Sequence, residues 1–301
     1  MLMYKNIMKV TVFTPTYNRG EYLPLIYKCL CEQTCKDFEW LVVDDGSTDA
    51  TSSIMQRIIQ NSLHGFSIQY FFKPNGGKHT AINMGVEKSS GDIFLILDSD
   101  DELPPNAVDD VINEYKTIAD DNNCGGVCGL MAHRNGKLIG RGFPIDSFEA
   151  NSLDLRYKYN VIGDLIEVFK TDVLREFPFP EIHGERFCPE ALIWNRIAQK
   201  YKLKCFNKVV YHRDYLDGGL TDNIVKIRMK SPIASMMCYA ELNKKDIPFK
   251  QKLKAAINYW RFRFCLKGEQ DIPNISWFWL VVIPIAFVMH INDLKVTKRN
   301  D

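Results

Sequence analysis

Along the first 130 residues, short unbroken apolar runs alternate with longer stretches in which apolar and polar residues mix at helical spacing. Unbroken runs bounded by turn residues read as buried strands of a parallel sheet, and the mixed stretches as helices that cover it. The runs are "KVTVFTP", "FEWLVVDD", "SIQYFF" and "DIFLIL". Between them the spacing predicts helices from about Glu21, from Ala50 to Gln60, from about Lys78 to Lys88, and over "PPNAVDDVINEYKTI", the last opened by prolines. This alternation predicts an α/β fold with a mostly parallel sheet flanked by helices.

After "GGVCGLMAH" the clean period is lost from Asn135 to Asn160, which predicts a loop-rich insertion over a cleft. A helix returns at "CPEALIWNRIAQKYK" and a strand at "LKCFNKVVYH". From about Asp222 onward the pattern is helical, so residues 1–222 are expected to form the α/β domain and 223–301 a C-terminal helical appendage. The appendage holds "ISWFWLVVIPIAFVMHI" (Ile275 to Ile291), 17 residues without a formal charge and interrupted by Pro284. It falls just short of the ~20 residues that cross a bilayer. A helix packed on its own domain and an interfacial helix compete here. Two tryptophans at one end and the basic tail "KVTKR" favour contact with an anionic membrane surface through Trp277–Ile291.

A chain of 301 residues with 46% apolar content can bury a substantial core. Its 38 basic and 37 acidic residues leave a net charge of +1, so no overall field draws it to nucleic acid, and any charged partner must be met locally. "MLMYKNIMKV" has too short an apolar run for a signal peptide. The nine cysteines lack the paired CxxC spacing of a zinc site and read as reduced, mostly buried thiols. The bulk of the protein is therefore expected to be cytoplasmic, with peripheral contact to the cytoplasmic face of the membrane.

Three strands end in polar, turn-forming residues: "FTPTYNRGEYL", "LVVDDGSTD" and "LILDSDD". In open α/β sheets ligands bind beyond the carboxyl ends of the strands, so these ends would gather Tyr17, Asp45 and the Asp98 cluster around one crevice. Each alone has a plain role as a turn, a helix start or a solvated acid. In an extended segment Asp98 and Asp100 would share one face, with Ser99 on the other. Two such carboxylates suit magnesium or manganese better than zinc. An EF-hand is excluded because Leu103 stands where that loop needs glycine. "KPNGGKHTAINMG" offers two glycines and Lys78 at a helix start, where bare backbone amides and an ammonium can meet an anion, though the P-loop spacing is missing. His79 beside them is a minor candidate. Glu190 follows Pro189 at another helix start, where a carboxylate also simply complements the helix dipole.

Taken in order, "TVFTPTYNRGEYL", "EQTCKDFEWLVVDDGSTD", "NGGKHTAINMGVEKSSGDIFLILDSDD" and "ERFCPEALIWNRIA" resemble the inverting family-two glycosyltransferases, over roughly residues 8 to 222. The resemblance implies the GT-A fold, with the nucleotide-sugar half over 1–130 and the acceptor half over 131–222. It implies a nucleotide-sugar donor, most readily a UDP-sugar, bound by Pro15, Thr16, Tyr17, Asp45, Lys78, Asp98 and Ser99. It makes Asp98 and Asp100 the DxD pair that holds Mn2+ or Mg2+, with Asp101 assisting and His212 where some relatives place a residue near the metal. Ordinary polar packing explains His212 equally well. It also places Glu190 as catalytic base, six residues before Arg196, although Pro189 and Glu190 stand where the family usually has an acidic pair ending in aspartate.

The implied reaction transfers a sugar with inversion to a hydroxyl of a lipid-linked or polysaccharide acceptor in surface glycan synthesis. Two other classes compete. A sugar-phosphate nucleotidyltransferase would carry a glycine-rich basic loop near the first strand, which "TPTYNRGEYL" does not resemble. A non-catalytic nucleotide- or glycan-binding module would not need the intact DxD and Glu190.

Overall fold

Every position of β1 (Val10–Thr16) and β2 (Phe38–Asp44) is buried, as in a strand covered on both faces. The computed structural model describes residues 9–61, 65–214, 223–266 and 273–299, and the chain divides into two compact units. The first joins Met1–Pro178 to Ile197–Asp214; the second joins Phe179–Arg196 to Tyr215–Asp301. Residues 1–8 and the expected boundary at Asp222 lie outside the described residues.

In the first unit β1 and β2 pair in parallel, Val10 opposite Phe38 and Thr16 opposite Asp44. Helix α1 (Leu23–Cys31) follows β1, and α2 (Thr51–Gln60) follows β2. Strand β3 (Ser67–Phe72) extends the parallel sheet beyond β2, and after α3 (Lys78–Lys88) the strand β4 (Ile93–Ile96) lies along the other side of β1. Helix α4 (Ala107–Lys116) leads to β5 (Cys124–Ala132). These elements are the ones the sequence pattern predicts, with boundaries that agree to within three residues.

The stretch expected to be loop-rich contains β6 (Ser147–Ala150) and α5 (Ser152–Tyr157), which Asn151 caps by accepting from the Asp154 N–H at 2.8 Å. Four and six residues are too few to display a period. Beyond them come β7 (Leu165–Lys170) and α6 (Thr171–Glu176), which the sequence pattern had not marked, and later β8 (Lys202–His212). The sheet order is β3-β2-β1-β4-β7-β5-β8-β6. Only β7 and β6 run against the rest. The carboxyl ends of β1, β2, β4, β5 and β8 therefore share one edge.

The core of this unit surrounds Trp40, fully buried, whose indole N–H donates to Thr14 Oγ1 at 3.0 Å. Phe13 stacks on Phe94 with ring centroids 5.0 Å apart. Gly85 of α3 lies so close that an added Cβ would sit 2.3 Å from the Phe13 ring. All nine cysteines are free thiols, six of them buried.

The second unit contains α7 (Glu190–Ile197), α8 (Ile224–Lys230), α9 (Pro232–Asn243) and α10 (Phe249–Arg263). A 3-10 segment, Trp277–Val282, runs into α11 (Ile283–Arg299). Pro284 does not interrupt this helix. It occupies the first turn, where its missing N–H costs nothing. Glu185 accepts from the Ile233 and Ala234 N–H groups at 2.6 and 2.9 Å, a carboxylate set at the positive end of α9. Arg196 forms a two-pronged ion pair with Glu241, at 3.0 and 2.6 Å, that ties α7 to α9.

Candidate active site

The turns after β1 and β2 are stitched together. Asn18 adopts a left-handed backbone (φ 51°), its N–H donates to Ser47 Oγ, and its side-chain carbonyl accepts from the Thr48 N–H, both at 2.8 Å. The Gly20 N–H donates to Asp49 at 3.1 Å, and a Cβ on Gly20 would lie 2.9 Å from the Thr51 backbone. This holds Pro15 and Thr16 buried at the end of β1 and leaves Tyr17 half exposed beyond them. Thr16 Oγ1 is buried with no hydrogen-bond partner among the described residues.

Asp45 is buried at the end of β2 and takes three donors: the Gly76 N–H (2.9 Å), the Gly77 N–H (2.7 Å) and Lys73 Nζ (2.7 Å). The glycine amides that the sequence offered to a ligand are thus occupied by Asp45. A carboxylate has about four lone-pair sites, so one stays open. Lys78, the first residue of α3, instead points its ammonium at Asp98 Oδ1, 2.6 Å away.

The acidic segment is not extended. Asp101 N–H closes on the Asp98 carbonyl at 3.1 Å, making residues 98–101 a turn, so the strand alternation expected for Asp98, Ser99 and Asp100 does not apply. The apolar run ends at Leu97, and four polar residues in a row have no buried partner strand to keep them straight. Asp100 pairs with Arg19 Nη1 at 3.1 Å. Asp101 is buried, and burial followed by the charge of Asp98 pushes its carboxyl up to about 7 against the hydrogen bond from Tyr211.

Tyr211, near the end of β8, fixes the turn from below. Its hydroxyl donates to Asp101 Oδ2 at 2.8 Å and accepts from the Asp98 N–H at 3.0 Å. Arg134, just past β5, donates to the Asp100 carbonyl at 2.6 Å and pairs with Glu102 and Asp214. His212 exchanges two backbone hydrogen bonds with Glu102, at 2.8 and 3.0 Å, and burial holds its imidazole below the usual value. Ser99 lies partly exposed in the turn, and His79 is buried in α3. Arg19, Lys73, Arg134 and Tyr211 were not read from the sequence, although the first three lie within three residues of a strand end.

The donor set suits a hard divalent cation: oxygen ligands only, with three carboxylates on one turn, two of them held by the exchangeable cations Arg19 and Lys78. Among the described residues no three His, Cys, Asp or Glu side chains form a ready-made cage. A cation there would need ligands from a bound phosphate as well. In the second unit Glu190 opens α7, with Arg196 in the last turn of the same helix.

The sequence matches the profile of "Glycosyl transferase family 2" over residues 11–171. It is 30% identical to the GalNAc(5)-diNAcBac-PP-undecaprenol beta-1,3-glucosyltransferase of Campylobacter jejuni, over 96% of this chain and 98% of that one. It is 25% identical to the hyaluronan synthase of Pasteurella multocida, of which it spans 28% while 97% of this chain is covered. Among solved structures, S. aureus TarS 1-349 in complex with UDP-GlcNAc superposes with a TM-score of 0.58 at 19% identity, over 86% of this chain and 74% of that one. The mannosyltransferase PcManGT from Pyrobaculum calidifontis, in complex with GDP-Man and Mn2+, superposes with a TM-score of 0.54 at 19% identity, over 94% and 80%. The sheet order, the edge that gathers the strand ends and the match across more than half of the sequence lead to one assignment: this chain is a glycosyltransferase of GT-A fold and belongs to glycosyl transferase family 2.

Proposed function

We propose that this enzyme transfers a sugar, with inversion, from a nucleotide-sugar, most simply a UDP-sugar, to a hydroxyl of a lipid-linked or polysaccharide acceptor. The observation that carries the donor half is the pairing of Lys78 and Arg19 with the two DxD carboxylates at the mouth of stitched strand ends. Those cations are positioned to meet a diphosphate. Support for the acceptor half comes from the full-length similarity to an enzyme named for a polyprenol-linked glycan.

In this reading Pro15, Thr16 and Tyr17 form the wall against the nucleoside. The unpartnered Thr16 hydroxyl and the open site on Asp45 supply its hydrogen bonds. Asp98 and Ser99 face the ribose. Asp100 and Asp98 would hold Mn2+ or Mg2+, with Asp101 assisting and His212 as a further candidate. A bound divalent cation supplies electrostatic stabilisation of the charge that develops on the leaving diphosphate. Lys78 and Arg19 add to it once their carboxylate partners are engaged. Glu190 takes the proton of the acceptor hydroxyl as its oxygen bonds to the anomeric carbon and the bond to the diphosphate breaks. The protein acts at the cytoplasmic face of the membrane, where Trp277–Ile291 contacts the lipid surface.

A thermal-shift screen against nucleotide-sugars with and without Mn2+, followed by product analysis on the donor that stabilises most, tests this reading. Stabilisation by a nucleotide-sugar and a manganese-dependent glycoside product are expected. Binding of no nucleotide-sugar, or full transfer by Asp100→Ala, would overturn it.

A further inference from the structure

The C-terminal helices of the second unit carry an apolar face that the unit does not cover. Trp277 is 81% exposed and Val281 69%, and Phe278, Ile285 and Val288 continue the same side of the segment at helical spacing. The opposite side is used: Trp279 and Val282 pack on Ala256 of α10, and Arg261 of α10 pairs with Asp293 of α11 at 2.6 Å. Phe249 at the start of α10 is 64% exposed and lies against Trp279, ring centroids 5.7 Å apart, so the apolar surface continues onto the neighbouring helix.

Charge identifies what this surface meets. Across 249–263 and 277–299 there are eight basic residues and a single acidic one, Asp293, which is already paired with Arg261. Lys250 and Lys254 are exposed at one end of the apolar stretch and Lys295 at the other. We propose that α10 and α11 lie flat on an anionic lipid bilayer, with Trp277, Phe278, Val281, Ile285, Val288 and Phe249 inserted at headgroup depth and the lysines against the lipid phosphates.

Trp277–Thr297 has the length and composition to cross a membrane, and only 28% of its most apolar window is buried. Its attachment to α10 excludes that orientation. The two helices are joined by apolar packing and by the Arg261 ion pair, so a spanning α11 would take the five cations of α10 into hydrocarbon. A surface orientation leaves them in the headgroup layer, where each strengthens binding. This deepens the acceptor part of the proposed function by naming the surface on which a lipid-linked acceptor would be presented, and vesicle binding reads it without any transfer chemistry.

The test is co-sedimentation of the full chain with vesicles of phosphatidylcholine alone or of phosphatidylcholine with phosphatidylglycerol. Binding to the anionic vesicles is expected, weaker by at least about tenfold on neutral vesicles and in high salt. Trp277→Ser with Val281→Ser, and separately Lys250→Glu with Lys254→Glu, should each weaken it by about tenfold or more. Both pairs are solvent-exposed, and unchanged thermal unfolding verifies that the fold survives. Equal partition of wild type and both variants, or no binding to anionic vesicles, overturns the proposal. So does a concentration-dependent dimer that the serine variant abolishes while vesicle binding is absent, since the face would then belong to a second copy of the chain.

Discussion

The ammonium of Lys78 stands 2.6 Å from Asp98 Oδ1, joining the first residue of α3 to the acidic turn after β4. Both side chains are about a third exposed, 31% and 29%, so the pair is screened and easily exchanged. On the proposed reading, a donor diphosphate would offer Lys78 a stronger partner. Lys78→Ala should therefore raise the donor KM by about 10- to 100-fold with a smaller change in kcat, read from initial rates across donor concentration. Asp100→Asn should instead cut transfer by about 100-fold or more and abolish the response to added Mn2+, measured by metal titration of the activity.

Glu190 is the proposed base, and general bases contribute typically about 10²- to 10⁴-fold. Glu190→Gln should lower kcat by that factor while leaving the thermal shift produced by donor and metal unchanged. Loss of donor binding in this variant would instead mark Glu190 as part of the donor cradle.

Tyr211→Phe removes one hydroxyl that serves two partners, Asp98 N–H and Asp101. Leaving buried groups unpaired costs about 1–3 kcal/mol each, so unfolding stability should fall by at least that much. Donor affinity should weaken as well, because the turn that carries Asp98 and Asp100 loses its support. Denaturant unfolding and calorimetric titration with the nucleoside diphosphate measure the two effects separately.

Glu39 of β2 gives a pH prediction at the opposite end of the sheet. Burial alone would raise its carboxyl. Hydrogen bonds from Ser90 Oγ (2.6 Å), Thr11 Oγ1 (2.7 Å) and Ser90 N–H (2.6 Å), with Lys9 nearby, outweigh burial and hold it below the usual value. Stability from a depressed carboxylate is present above its unfolded value of about 4.3 and is lost as pH falls through the folded value. Glu39→Gln should thus cost most near pH 7, about 1–3 kcal/mol, and the gap from wild type should narrow below about pH 4, as followed by denaturant unfolding across pH.

The parallel half of the fold was legible because β1, β2 and β4 are buried on both faces and end abruptly in turn residues, while the partly exposed edge strand β3 is marked by its aromatic and β-branched residues. Phe38–Asp44 and Ser67–Phe72 are unbroken enough to be placed within a residue. β7 was not, because "LIEVFK" is six residues long and stands next to a stretch without a period. The strand-end loops put Tyr17, Asp45 and Asp98 just past the carboxyl ends of β1, β2 and β4. They could not reveal that Asp45 draws in the Gly76 and Gly77 amides, or that the acids sit on a turn, since both depend on contacts 30 or more residues apart or on local backbone closure. Tyr211 was hidden for a like reason: 110 residues separate it from Asp101, and a tyrosine after the apolar pair Val209–Val210 looks like ordinary core.

The stitching of Asn18 and Gly20 to the turn after β2 also bears on how this enzyme can be altered. A turn clamped from both sides can change the side chain at its tip without changing its path, and Tyr17 is that tip. Position 17 is accordingly open to saturation mutagenesis on an unchanged scaffold, and a shift in nucleotide preference among such variants would support the proposed contact of Tyr17 with the nucleoside.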